Sequence, residues 1–214
     1  MIRLLPLLFA WAVVGQSAPQ ESVAARMQSF DRALGVECTH CHVAGDWKRD
    51  EKPEYGFAQR MIRMTEGLNA GTLRDLGGVT CWSCHRGSVK PARMPRAGWE
   101  DRLAHRPEAM KLSEEDAKKP ASEVYGNLQL LARAPAGSIP MNMSIYAAAL
   151  GVSCGHCHVP GHWESDEKPA KRTARIMLGM FSEFPKYFDA SRQPSMQCYT
   201  CHQGSVKPQR MPAG

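Results

Sequence analysis

Four copies of one short motif constrain this chain more than anything else in it. Cys38/Cys41, Cys81/Cys84, Cys154/Cys157 and Cys198/Cys201 are all spaced C-x-x-C, and each pair is followed at once by a histidine: His42, His85, His158 and His202. The chain has 8 cysteines in 214 residues, so none is left over. C-x-x-C-H is the attachment signature of c-type haem. The thiols form thioethers with the porphyrin, and the adjacent histidine reaches the iron as proximal ligand. Competing readings fit less well. Zinc sites also pair C-x-x-C units but do not demand a histidine directly after each. A thioredoxin-like pair needs a βαβ context that is absent. Disulfides leave the four histidines without a role.

The motifs fall in two matched pairs. Residues 38–53 (CTHCHVAGDWKRDEKP) match 154–169 (CGHCHVPGHWESDEKP) at 11 of 16 positions. Residues 81–95 (CWSCHRGSVKPARMP) match 198–212 (CYTCHQGSVKPQRMP) at 11 of 15. The offset changes from 116 to 117 between the blocks, which places one inserted residue between them. Such self-similarity indicates a duplicated unit. The expected organisation is a signal peptide over 1–17, a first two-haem module over 18–97, a linker with short helices over 98–137, and a second two-haem module over 138–214.

Within a module the apolar periodicity is helical. Val23, Met27, Phe30 and Leu34 share one face of a helix over 22–34, and Gly35 supplies its stop. The stretch 142–150 is closed by Gly151 in the same way. Second helices begin near Pro53 and Pro169, each preceded by Asp-Glu-Lys. In the linker, Ser113 followed by three acidic residues reads as a helix start, and 122–134 as a further short helix interrupted by Gly126. No strand pattern emerges, so the fold class is all-α with extensive loops. Aromatic residues make up only 7% of the chain. Four porphyrins therefore have to fill the interior, and the apoprotein is expected to fold poorly.

The N-terminus sets the compartment. Arg3, the apolar run Leu4–Val14 and the small residues Gly15 and Ser17 read as a signal peptide cleaved before Ala18. The run is too short for a membrane span, which needs roughly 20 apolar residues. The protein is thus expected to be exported and periplasmic, soluble or peripheral to the outer face of the inner membrane. The formal charge of +6 falls when Arg3 is removed and is offset by haem propionates. Its basic residues are scattered, so nucleic acid is not an expected partner.

The sixth iron ligand separates electron transfer from catalysis. Met27 and Met143 each lie 15 residues before their proximal histidines, His42 and His158. Met61 and Met177 lie 19 residues after those same histidines, with Met64 and Met180 three residues further on. The best set is Met27, Met61, Met143 and Met177, with Met64 and Met180 as rivals for the second and fourth places. Methionines on apolar faces are commonly core filling; repetition at fixed offsets favours ligation here. His40 and His156, inside their motifs, are rival ligands or propionate donors. His105 and His162 read as surface residues. Trp47 and Trp163, and Met94 and Met211, are matched pairs expected to pack on porphyrin edges or faces.

These features resemble the tetrahaem cytochrome c subunit of photosynthetic reaction centres. The resemblance rests on Leu150-Gly151-Val152-Ser153-Cys154 through His158, Arg60-Met61, Ala174-Arg175-Ile176-Met177, Cys198 through Gly204, and the segment Tyr125–Leu131. It implies two two-haem repeats, methionine-bearing helices, and redox partners such as a reaction centre or membrane electron-transfer complex. That family carries one haem with a histidine sixth ligand between the second methionine helix and the second motif. Residues 65–80 hold no histidine here, so a fourth methionine is the natural substitute. The chain is also shorter than typical members and lacks the lipidated N-terminus of some. The expected function is electron transfer by a non-enzymatic cytochrome, with no small-molecule substrate. Alternatives are a multihaem oxidoreductase with one open iron position, or a subunit of a larger haem wire.

Overall fold

The computed structural model describes residues 21–95, 111–189, 191 and 194–212. The expected signal peptide and His105 lie outside them. Among the described residues there are α-helices, 3-10 turns and isolated bridges, and no strands.

The same order of elements occurs twice. Helix α1 (Val23–Leu34) begins where the Ser22 hydroxyl accepts the Ala25 N–H at 3.1 Å, capping one of the free donors of the first turn. A 3-10 turn follows at Cys38–His40. Helix α2 (Pro53–Ala70) starts on a proline, whose missing N–H has no partner to lose in the first turn. Helix α3 (Cys81–His85) carries the second motif. After two short helices, α4 (Glu114–Lys118) and α5 (Ala121–Val124), the pattern returns as α6 (Ile139–Leu150), a 3-10 turn at Cys154–His156, α7 (Pro169–Met180) and α8 (Cys198–His202). The α6 start lies three residues before the expected one because Pro140 fits the first turn of a helix.

Helix α1 packs on α3 and α6 on α8, and the two contacts use the same backbone device. Gly35 and Gly151 close their helices at φ 65 and 66, the left-handed region that favours glycine. The Gly87 N–H donates to Ala33 O at 2.8 Å, and the Gly204 N–H to Ala149 O at 2.8 Å. Ala33 and Ala149 are fully buried. A side chain at Gly35 or Gly151 would overlap the carbonyl of Gly87 or Gly204. Each half is thereby clasped between its first helix and the chain leaving its second motif. Helix α3 also packs on α8, which joins the halves.

The halves meet again through an apolar cluster. Met64, Leu68 and Leu73 from the first pack with Phe184 and Phe188 from the second. Met61, Met177, Met180 and Tyr187 pack around them. The second cluster is Ala121, Ala136 and Ile139, with Leu112, Leu128, Leu131 and Met143 against it, so the linker folds onto the start of α6.

Two local expectations need correction. Only 121–124 is helical in the stretch read as a helix over 122–134. Asn127 sits at φ 58, and its amide is spent on Glu164 O at 2.6 Å and Asp166 Oδ1 at 2.9 Å. That docking takes the chain out of the helical path. Val23, expected on the packed face of α1, is 75% exposed. It lies in the first turn, while the fully buried Ala33 of that helix stands near the other end.

Candidate haem sites

The four motifs take two local forms. In the first and third, the cysteine turn is 3-10 and is tied down from the next element. Lys52 Nζ donates to Thr39 O, and Lys168 Nζ to Gly155 O. These lysines end the repeated Asp-Glu-Lys, so that tripeptide serves the motif as well as the helix after it. In the second and fourth, the turn is helical and is locked by the residue before the second cysteine. The Thr80 N–H donates to Ser83 Oγ at 3.0 Å, and the Gln197 N–H to Thr200 Oγ1 at 3.0 Å. Ser83 and Thr200 are buried and satisfied there.

All four histidines are held in one manner. His42 Nδ1 lies 2.7 Å from Trp47 O and His158 Nδ1 lies 3.0 Å from Trp163 O. His85 Nδ1 lies 3.0 Å from Ser88 O and His202 Nδ1 lies 3.0 Å from Ser205 O. A carbonyl can only accept, so Nδ1 carries the proton in each ring. Nε2 is left as the atom with a free lone pair. Anchoring one ring nitrogen on a carbonyl is how ligand histidines are oriented and made more basic toward a metal. Burial lowers the pKa of His85, His158 and His202, which keeps those rings neutral as ligation requires. Trp47 and Trp163, expected on porphyrin edges, contribute their backbone carbonyls. Their rings also lie 6.0 and 5.6 Å from those of His42 and His158.

The cysteines divide unevenly. Cys38, Cys41, Cys81, Cys154, Cys157 and Cys198 are free thiols. The hydrogen bond to Asp31 pushes Cys38 up in pKa, and burial does so at Cys41, Cys81, Cys157 and Cys198. Cys84 and Cys201 are instead joined as a disulfide, which differs from two independent attachment residues. The packing of α3 on α8 brings their α-carbons to 4.2 Å. A sulfur forms either this link or a thioether, so the link and full attachment at both motifs exclude each other.

Met61 and Met177 pack against the apolar cluster between the halves, and Met143 against the linker cluster. Met27 on α1 and Met143 on α6 are partly buried, as are Met61 on α2 and Met177 on α7. Met64 is only 6% exposed within the cluster shared with Phe184 and Phe188. His156 is exposed and His40 partly so. His162 is exposed, with Nδ1 3.9 Å from Glu164 Oε1. Met94 and Met211, in the matched tails, are both partly buried.

The first and third motifs fit c-type haem as they stand, each with two free thiols and an imidazole whose free nitrogen is fixed in direction; the second and fourth offer the same imidazole but one free thiol each, Cys81 and Cys198, until the Cys84–Cys201 link is opened. Arg60 Nε on α2 and Trp82 Nε1 on α3 are buried donors with no partner, of the kind a propionate accepts. Among the described residues no three His, Cys, Asp or Glu side chains converge on a metal-sized point. Among those residues no helix is long and apolar enough to cross a membrane.

Comparison with known proteins agrees with this chemistry. The profile of the family described as photosynthetic reaction centre cytochrome C subunit matches residues 20–105 and again 97–212. The chain is 24% identical over 219 residues to the photosynthetic reaction center cytochrome c subunit of Rubrivivax gelatinosus, covering 80% of this chain and 58% of that protein. It is 26% identical over 230 residues to the subunit of Roseobacter denitrificans, covering 80% of this chain and 60% of that protein. With the subunit of Thermochromatium tepidum it shares 36% identity over 93 residues, 41% of this chain and 22% of that one. The chain thus spans at most about 60% of the length of these relatives.

Proposed function

The chain belongs to the photosynthetic reaction centre cytochrome c subunit family, and from that premise we propose that it is an exported tetrahaem electron carrier. The observation that carries the number four is the histidine anchor. His42, His85, His158 and His202 all point Nδ1 at a backbone carbonyl, and each follows its own C-x-x-C. A chain with fewer haems has no need of the same anchor four times.

In this reading Cys38/Cys41, Cys81/Cys84, Cys154/Cys157 and Cys198/Cys201 hold the haems by thioethers, and the Cys84–Cys201 link of the haem-free chain is reduced before attachment at the second and fourth motifs. Met27, Met61, Met143 and Met177 supply the sixth ligands. Met61 is preferred to Met64 because Met64 is buried inside the apolar cluster between the halves, whereas Met61 packs against it and stays partly exposed. The haem supplies one-electron chemistry at iron. The chain supplies ligands that change little between oxidation states, and methionine sulfur favours the ferrous form and raises the potential. The modules run over 18–97 and 138–214, and residues 98–137 connect them. Because α3 packs on α8, the second and fourth motifs adjoin, and electrons cross from one half to the other there. The donor and acceptor are redox proteins at the outer face of the inner membrane, a reaction centre among them. With a methionine for every iron, the protein is a carrier and not an enzyme.

Intact mass of the mature protein tests this reading together with thiol titration. The expected mass is that of the polypeptide plus four haems, with no reactive thiol. The pyridine haemochrome spectrum should show two thioethers on every haem. Fewer haems, or two haems each held by one thioether beside a Cys84–Cys201 disulfide, would overturn it.

A further inference from the structure

We propose that Lys171 is a positioning residue of the third motif, which rests its ammonium on the carbonyl that anchors His158 and so raises the potential there. The inference rests on one part of the reading above, haem attachment at the third motif, whose Cys154 and Cys157 are both free thiols.

The Trp163 carbonyl is shared. His158 Nδ1 lies 3.0 Å from Trp163 O, and Lys171 Nζ donates to the same oxygen at 2.8 Å. A carbonyl oxygen has two lone pairs and can accept from both. Lys171 also donates to Ser165 O at 2.9 Å and pairs with Asp166 Oδ1 at 3.4 Å. All three ammonium protons are thus engaged, and the side chain is only 11% exposed. Asp166 pairs in turn with Arg175 at 2.8 Å, and the linker closes over this group through Asn127.

The first half lacks these cations. Asp50 matches Asp166, but Tyr55 stands where Lys171 does and Gln59 where Arg175 does. Tyr55 turns its ring against His42 instead, edge to face with centroids 5.3 Å apart. His42 Nδ1 lies 2.7 Å from Trp47 O, a shorter contact than that of His158. Lys52 and Lys168 are present in both halves and hold their motifs alike, so they do not distinguish the sites.

An accepting carbonyl makes a ligand histidine more basic toward metal, because it draws on the Nδ1 proton. An ammonium on that same oxygen withdraws electron density and weakens the pull. His158 Nε2 is then the poorer donor and stabilises ferric iron less. The charge also acts through space. Reduction removes one positive charge from the centre, so a nearby fixed cation favours the reduced form, and burial limits the screening by water. The two effects have the same sign. Asp166 opposes them, but it is shared with Arg175.

The test is a redox titration of the mature holoprotein, with haem-bearing peptides mapped first for each variant. Lys171→Gln keeps an N–H donor and removes the charge; it should lower one component more than the others. Lys171→Arg should keep the native values. Asp166→Asn removes the counter-charge, while Lys171 retains its two carbonyls, and should raise the component that Lys171→Gln lowers. A merely structural Lys171 would not give shifts of opposite sign. Unchanged potentials in Lys171→Gln, or shifts of the same sign in both variants, would overturn the proposal. Where Lys171→Gln fails to load the third motif, Asp166→Asn decides alone, a rise in one component supporting the proposal and anything else overturning it. Native protein with haem on the first and third motifs only would overturn the tetrahaem reading and leave this inference standing. Absence of haem from Cys154 and Cys157 would overturn both.

Discussion

Replacing Gly35 by alanine should damage the first half far more than a glycine-to-alanine change normally does. The residue sits at φ 65, so any side chain meets the left-handed penalty of about 1–2 kcal/mol. It also closes α1 directly against the chain leaving the second motif. An ideal Cβ there overlaps the Gly87 carbonyl oxygen and stands 2.9 Å from its carbon, closer than real Cβ contacts come. Relief means moving Gly87 off the Ala33 carbonyl, an overpacking cost of about 1–3 kcal/mol. The expected loss is about 2–5 kcal/mol in total. Gly45→Ala is the control. Its φ of 80 carries the same penalty but nothing lies within 4 Å of a Cβ, so about 1–2 kcal/mol is expected. Denaturant unfolding of the two holoproteins gives the difference. The displacement has a spectroscopic sign too, because Ser88, next to Gly87, supplies the carbonyl that anchors His85. Gly35→Ala should therefore perturb one haem spectrum and Gly45→Ala none. Equal destabilisation by both variants would refute the clasp.

Met27→His and Met143→His should each lower the potential of one haem without unfolding the chain, since imidazole stabilises ferrous iron less than thioether sulfur does; a titration with all four potentials and the iron–sulfur band unchanged would make that methionine plain packing. Asp166 is held well below the usual carboxylate range, first by Arg175 and then by Asn127 of the linker. A depressed carboxylate stabilises the fold above its unfolded value, about pH 3.9, and loses that contribution as pH falls through the folded value. Asp166→Asn should weaken linker docking at neutral pH and flatten the acid limb of the stability profile below about pH 4. Limited proteolysis near Asn127, followed against pH, reads both effects.

The elements that chain chemistry alone determines were legible in the sequence. Ser22 and Gly35 bracket α1, and Gly151 ends α6, because a cap hydroxyl and a left-handed glycine act within a few residues. Ser113 opens α4 by accepting the Asp116 N–H at 3.0 Å for the same reason. The four motif histidines stood out in the sequence through their spacing. What supports them was hidden, since it is made by backbone atoms. The carbonyls of Trp47, Ser88, Trp163 and Ser205 leave no trace in side-chain type, although the matched tryptophans and the Gly-Ser pairs marked the right places. Lys52 and Lys168 were visible as part of a repeat, but their reach back to Thr39 and Gly155 was not. Contacts between the halves were beyond reach altogether. Phe184 against Leu68 and Cys84 against Cys201 depend on how two repeats pack, and periodicity within one repeat says nothing of that. The end of α7 is a smaller case. The helix is shorter than its counterpart α2, because the chain passes into a 3-10 stretch over Phe181–Lys186 that contains Pro185.

An anaerobic redox titration of the mature holoprotein, followed at once in the haem bands and in the iron–methionine band near the red end of the spectrum, tests the central claim most directly. Four one-electron components are predicted, each gaining the methionine band on oxidation in step with its haem. Fewer components, or a haem that oxidises without that band and binds carbon monoxide when reduced, would contradict a carrier with four histidine–methionine irons.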